Sequence, residues 1–187
     1  MLIRPGTTIT DFVLGRNTGY VLERPPGADR FHAIAGTDLA GNNGLETSRE
    51  DDGFYVVAFG ARQVVRFDRH GTPGPRWSAT APEFMPDNIH WHGDRLLAAG
   101  MVRDEPACGG TRQVVDGVAD TMQCHRGYMA ALLDPRSREW SVVAYSGPKA
   151  SFNGVSTALV LDGELWLGSY QADRIAVRKL PAGDKTN

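Results

Sequence analysis

The chain has 187 residues, a formal net charge of −2 and 41% hydrophobic residues, which predicts one soluble globular domain with its own core. The near-neutral balance provides no basic surface for nucleic acid, and no apolar run approaches the roughly 18 residues of a membrane span. With 22 glycines and 11 prolines, the composition favours many turns and short strands over long helices.

The N-terminal stretch Met1–Gly15 has neither a long apolar core nor a small-residue cleavage site, so no signal peptide is expected in this chain. The next stretch, Gly19–Gly36, is typical of two short strands joined by a Pro- and Gly-containing loop. It is interpreted as the outer hairpin of an early structural unit.

Three later stretches share one pattern: a short strand, a glycine-containing turn with acidic residues, and a second strand. They are Asn42–Pro73, Pro86–Met101 and Ser156–Pro181. An Asp-Gly or Gly-Asp pair between strands indicates a hairpin, since the turn needs positive φ. The first and third stretches continue into a third strand, "QVVRF" and "RIAVRKL". Tyr55 and Trp166, on the second strands, are predicted to lie in the core.

The repeat length predicts a β-propeller. Phe54 and Leu96 occupy equivalent places 42 positions apart, which fits the 40–50 residues of a propeller blade. We therefore predict an all-β fold forming part of a propeller, with about three to four blades. The blade-like units are expected at about 10–40, 43–80, 87–145 and 156–181, with an insertion at 102–127 in the third.

Polar pairs recur at one phase of this repeat. Asn42-Asn43 and Asp87-Asn88 each come directly before the inner strand of a predicted unit. Because blades pack radially around a central channel, these positions are expected to converge near its axis. Oxygens from Asn43, Asp87 and Asn88 would then form a cluster of the kind that binds Ca²⁺. The other interpretation is that both pairs are ordinary turn formers.

At these residues the chain resembles a known superfamily. The segments "NNGLETSREDDGFYVVAFGARQVVRF", "MPDNIHWHGDRLLAAG" and "STALVLDGELWLGSYQADRIAVRKL" are similar to successive blades of the gluconolactonase/regucalcin and paraoxonase/arylesterase proteins. The strictosidine synthase-like proteins are more distant relatives. The resemblance covers Gly41 to Pro181 and implies a six-bladed propeller with a calcium ion in its channel.

The resemblance also implies roles for individual residues. Asn43, Asp87 and Asn88 match calcium ligands, and Asp87 also matches the residue assigned as base or nucleophile. The implied activity is calcium-dependent hydrolysis of a lactone or ester. The family's early-blade glutamate and a further ligand asparagine have no match here, and the family is about twice as long. The chain therefore resembles the C-terminal half of such a propeller, and it would then be an incomplete fragment with little activity of its own.

Cys108 and Cys124 are the two cysteines of the chain, and both fall in the predicted insertion. Such a local pair can close the loop as a disulfide, worth roughly 3 kcal/mol for a loop of about 15 residues, or remain as two thiols. We predict the disulfide, which would place the parent protein in the periplasm or outside the cell.

Two other functions fit the same sequence. The chain could be a non-catalytic propeller module for binding, or a strictosidine synthase-like protein without calcium. A partial propeller also leaves strand edges uncovered, and such edges pair readily with another chain. A homodimer is therefore a possible partner arrangement, alongside a small-molecule lactone or ester as substrate.

Overall fold

The computed structural model describes residues 5–79, 84–102, 114–119 and 125–180. Within these ranges the structure has one short helix, α1, and its strands pair antiparallel. The prediction of an all-β fold is therefore confirmed. The helix, Ile9–Val13, begins with a capping box in which Thr8 and Asp11 satisfy each other's backbone amides.

The strands in chain order are β1 Asn17–Gly19, β2 Leu22–Glu23, β3 His32–Ala33, β4 Leu39–Ala40, β5 Asn42–Thr47, β6 Phe54–Ala58, β7 Gln63–Phe67, β8 Pro73–Ser78, β9 Phe84–His92, β10 Arg95–Val102, β11 Val114–Val115, β12 Val118–Ala119, β13 Tyr128–Leu133, β14 Trp140–Ser146, β15 Val155–Leu161, β16 Glu164–Ser169 and β17 Ala176–Lys179. The chain divides into two compact units, 1–78 with 113–121 and 79–112 with 122–187. Each unit is described by itself.

The first unit is built on the four-stranded sheet β5-β6-β7-β8, whose strands follow each other up and down as in a propeller blade. Three two-stranded ribbons, β1-β4, β2-β3 and β11-β12, complete the unit. One face of the sheet forms a core cluster with residues from the ribbons. Its members are Val21, Leu39, Phe54, Val56, Ala58, Val65 and Phe67. β6 is buried along its whole length, on both faces.

The second unit contains the four-stranded sheet β9-β10-β13-β14 and the three-stranded sheet β15-β16-β17. The predicted insertion, 102–127, lies between β10 and β13, which pair directly along six residues each. The two sheets share one apolar core. Its members are Leu97, Ala99, Ala130, Leu132, Ala144, Val155, Ala158, Leu165 and Leu167. Full burial of each leucine contributes roughly 1.5–3 kcal/mol.

The sheet β15-β16-β17 is covered on one face alone. Leu159, Trp166 and Val177 are register partners across the three strands, and all three are exposed. The expectation for Tyr55 is correct, since it is buried, but Trp166 is 37% exposed, so its assignment to the core is wrong. The alternation along β16 is the reason: Leu165 and Leu167 point into the core, and Trp166 points the other way.

Cys108 and Cys124, the predicted disulfide, lie outside the described residues. The division into blade-like units stays a prediction, as does the partial propeller that these units would form.

The described part of the chain contains no helix with the length and apolar character needed to cross a membrane.

Candidate functional site

A β-bulge lies near the start of the first strand in each of the three main sheets. In β9, Pro86 pairs with Gly100 and Asn88 pairs with Ala99, so Asp87 has no partner of its own. In β15 the extra residue is Ser156. Such bulges redirect a side chain and occur often beside functional sites.

The bulge in β5 involves the first polar pair. Asn42 pairs with Ala58 and Leu45 pairs with Val56, so Asn43 and Gly44 together face one residue. The sequence placed both polar pairs before the inner strands, and this placement is wrong. Both pairs lie within the strands, because the bulge accommodates them without ending the ladder.

Gly100 makes the bulge at Asp87 possible. A Cβ atom there would overlap the Met85 carbonyl oxygen and lie 2.9 Å from the Asp87 amide nitrogen. Both atoms belong to the main chain, so a larger residue would have to displace β9 itself. The missing side chain of Gly100 therefore helps to determine the position of Asp87.

We expect Gly100→Ala to destabilise the protein by about 2 kcal/mol, because the backbone of β9 must shift to admit the new methyl group. Urea unfolding would measure this as a lower midpoint. Gly147→Ala is the matched control, since a Cβ there meets no atom within 4 Å. Equal midpoints for the two variants would show that the close approach in the bulge is unimportant.

Asp87 is buried, with 7% of its surface exposed. Within the described residues, the hydrogen bond to its side chain comes from Asn88 Nδ2 at 3.4 Å, which is long for a carboxylate. Burial raises the pKa of Asp87 from its ordinary value of 3.8 to about 7. A buried carboxyl group whose pKa is raised in this way is typical of functional sites.

Asn88 connects β9 to the next sheet of the second unit. Its Nδ2 donates to the Ser156 carbonyl oxygen at 3.0 Å and to Asp87 Oδ1. Two positions further along β9, His90 Nε2 lies 3.2 Å from Thr157 Oγ1. These contacts hold the start of β15 directly against the bulge that carries Asp87.

Asn42 and Asn43, the polar pair of the first unit, have different roles. Asn42 is buried, and its amide is used locally: Oδ1 accepts from the Leu39 amide at 3.0 Å, and Nδ2 donates to the Thr37 carbonyl at 2.9 Å. The Asn43 side chain is half-buried and makes no hydrogen bond within the described part of the chain. Asn42 therefore stabilises the turn, and Asn43 is the one free to bind a ligand.

Asn43 lies in the first unit, whereas Asp87 and Asn88 lie in the second. The structure thus brings Asp87 and Asn88 together on one bulge. A calcium site formed by all three residues stays a prediction.

Two polar residues of the second unit were missed from the sequence. Asn153 is buried, with 4% of its surface exposed, and precedes β15 by two residues. Ser156 occupies the bulge of β15, as Asp87 does in β9. An Asn-Gly pair, Asn153-Gly154, stands just before the third repeat and could have revealed the first of them.

Two backbone hydrogen bonds are equivalent in the first and third repeats. Phe59 N donates to the Gly41 carbonyl at 2.9 Å, and Tyr170 N donates to the Gly154 carbonyl at 3.1 Å. Gly41 and Gly154 both have positive φ, +66° and +61°, which glycine adopts without steric cost. The chain therefore enters β5 and β15 in the same way.

The side chains favour a hard cation over a transition metal. Within the described residues, no three His, Cys, Asp or Glu side chains form a metal-binding group. The donors near β9 and β15 are instead one carboxylate and several amide oxygens, the types that Ca²⁺ accepts. Asp87 forms no ion pair within the described residues, and its carboxylate is a suitable ligand for a cation at this position.

Aromatic residues of the second unit lie at the start of β13, just before β15 and just after β16. Tyr128 and Phe152 pack edge to face with ring centroids 5.9 Å apart, and Tyr170 Oη lies 3.4 Å from Met101 Sδ. Tyr170 is 53% exposed. Such rings provide an apolar wall next to a polar group, an arrangement common in small-molecule sites.

Comparisons with known proteins were made at three levels. No family model matches the chain, and no curated protein matches its sequence. Solved structures do match, and those described below are β-propeller-like proteins.

YCF48 bound to a D1 peptide is 16% identical, with a TM-score of 0.48, and the match covers 90% of this chain and 46% of that one. A candidate 6-phosphogluconolactonase from Bacteroides uniformis is 14% identical, with a TM-score of 0.39, over 88% and 62% of the two chains. An inactive variant of virginiamycin B lyase from Staphylococcus aureus with quinupristin is 11% identical, with a TM-score of 0.38, over 91% and 69%. The chain thus spans about half the length of the first. At these identities the likenesses assign no activity.

Proposed function

We propose that the chain is part of a β-propeller hydrolase that cleaves lactones or esters with the help of Ca²⁺. The observation that carries this proposal is Asp87, a buried carboxyl group on a bulge beside Asn88. Its pKa of about 7 lies near neutral pH, where a general base is most effective. Asn43 and Asn88 supply oxygen atoms but cannot accept a proton at neutral pH.

In this proposal Asp87, Asn88 and Asn43 would hold the cation, and Asp87 would also act on the substrate. Bound calcium would supply Lewis-acid polarisation of the ester carbonyl. In one route Asp87 would accept a proton from the water that attacks the carbonyl carbon and return it to the departing alkoxide as the acyl C–O bond breaks. In the other, its carboxylate would attack the carbon itself, the alkoxide would leave and take a proton from water, and a second water would hydrolyse the resulting anhydride. The Asn88 amide, fixed by its bond to the Ser156 carbonyl oxygen, keeps the bulge in position. Phe152 and Tyr128, which pack edge to face, would line one side of the space for the substrate.

The direct test is hydrolysis of a lactone series and of phenyl acetate by the complete protein of which this chain is proposed to be a part, with calcium and with a chelator. We expect turnover that the chelator abolishes and added calcium restores. Hydrolysis that is insensitive to the chelator would contradict the role of calcium, and no hydrolysis of either substrate class would contradict the enzyme.

The second candidate is a non-catalytic module that associates through the sheet β15-β16-β17. The exposed apolar row Leu159, Trp166 and Val177 favours it, because contiguous apolar surface marks interaction sites. We expect this face to join two copies of the chain. Sedimentation velocity of Trp166→Glu would then show a loss of dimer, whereas Val142→Glu, at another exposed apolar position, would not change the mass. A wild-type monomer would exclude this candidate.

A further inference from the structure

Asn153 has a buried side-chain amide, of which the nitrogen alone has a hydrogen-bond partner within the described residues. Its Nδ2 donates to the Lys149 carbonyl oxygen at 3.3 Å. Its Oδ1 is fully buried and has no hydrogen-bond partner within the described part of the chain. A buried acceptor without a donor is unfavourable, because it has lost its hydrogen bonds to water. Asn42, the other buried asparagine, has both ends of its amide bonded.

The backbone around Asn153 is held by hydrogen bonds from the end of β16 and the residues that follow it. Ser169 Oγ donates to the Asn153 carbonyl oxygen and accepts from the amides of Gln171 and Ala172 at 3.0 and 2.8 Å. The next residue, Gly154, is bonded to Tyr170 N. The loop between β16 and β17 thus anchors the start of β15.

This anchored segment adjoins the bulge that carries Asp87. Asn88 Nδ2 bonds the Ser156 carbonyl oxygen, three residues after Asn153. The strands β9 and β15 therefore present Asp87, Asn88 and Asn153 at their starting ends within one unit.

The side-chain amides of Asn88 and Asn153 form similar hydrogen bonds. Asn88 and Asn153 both use Nδ2 to donate to main-chain carbonyl oxygens, which leaves both side-chain oxygens without a donor in the described residues. Asn88 and Asn153 thus each offer one acceptor oxygen, and Asp87 offers a carboxylate; these are the ligand types that a hard cation takes.

We propose that Asn153 is a further ligand of the cation, through its Oδ1, so that the second sheet of this unit completes the site begun by Asp87 and Asn88. The proposal rests on the calcium site proposed above, and it adds a residue that lies outside the predicted set Asn43, Asp87 and Asn88.

The test is calcium titration calorimetry on the full chain, together with the rise in Tm on adding calcium. We expect Asn153→Leu, which keeps the volume and removes the oxygen, to weaken calcium binding about tenfold or more. Asn153→Asp keeps the oxygen and adds a charge, so we expect tighter binding and a larger rise in Tm. Thr37→Val is the control for a lost buried hydrogen bond, and it should lower Tm without changing the calcium affinity.

Two results would overturn the proposal in different ways. If Asn153→Leu binds calcium within twofold of the wild type while Asp87→Asn does not bind, Asn153 is not a ligand and the proposed function stands. If the wild-type chain binds no calcium, the proposed function and this ligand both fail. Where Asn153→Leu does not fold, an Asn153→Asp variant with wild-type affinity and an unchanged rise in Tm overturns the proposal on its own.

Discussion

Asp87→Asn should reduce lactone or phenyl-ester hydrolysis about 10²–10⁴-fold, because it removes the group that accepts the proton. The substitution keeps the shape of the side chain and one ligand oxygen, so the fold should survive. It also removes the negative charge at the site, which should weaken calcium binding. Initial rates at saturating calcium, with calcium affinity measured separately, would distinguish the two losses.

Asp94→Asn is the matched control for this prediction. It makes the same chemical change in the exposed turn between β9 and β10, so its rate and calcium affinity should equal those of the wild type. If Asp87→Asn hydrolyses these substrates as fast as Asp94→Asn, Asp87 is not the base, and the non-catalytic module becomes the better interpretation.

Calcium-free protein should lose stability as the pH rises from about 4 to about 7. Burial raises the pKa of Asp87 to about 7, so in this window the folded protein retains a proton that the unfolded chain has released. Stability falls with pH wherever the folded state binds more protons. A shift of about three units corresponds to at most about 4 kcal/mol. Urea unfolding in a chelator at pH 5 and pH 8 would measure the difference.

The other shifted carboxyl groups act in the opposite direction and at lower pH. Within the described residues, hydrogen bonds lower the pKa values of five carboxyl groups, those of Asp11, Asp51, Asp68, Asp134 and Asp173. Their contribution to stability is lost as the pH falls below about 4. The slope between pH 5 and pH 8 should therefore vanish in Asp87→Asn and persist in Asp94→Asn. A slope that is the same in both variants would show that Asp87 is not the buried acid responsible.

The sheets of this protein could be predicted from the sequence because their signals are local. The run "ELWLGS" coincides with β16, and Asp162-Gly163 before it forms a two-residue turn with φ of +51° and +76°. Positive φ and the alternation of side chains depend on neighbouring residues alone. Composition, turn residues and periodicity were therefore sufficient for the all-β fold.

The candidate site could be predicted from the sequence only in part. The sequence drew attention to Asp87 and Asn88, since both are polar residues at a fixed phase of the repeat. It misplaced them before the strand, because a bulge depends on pairing with β10 and on the close approach at Gly100. A single strand read by itself contains no information on its partner's register.

The tertiary structure alone decided which polar groups are buried and which of them have hydrogen-bond partners. Asn42, Asn88 and Asn153 are chemically identical, yet both ends of the Asn42 amide are bonded, whereas the other two donate to main-chain carbonyls and leave their oxygens free within the described residues. The bond from Asn88 to the Ser156 carbonyl oxygen joins segments that are 68 positions apart, and the burial that raises the pKa of Asp87 also depends on packing. Local sequence determines the strands and turns, but desolvation and hydrogen-bond partners depend on which strands meet, and that is decided in three dimensions.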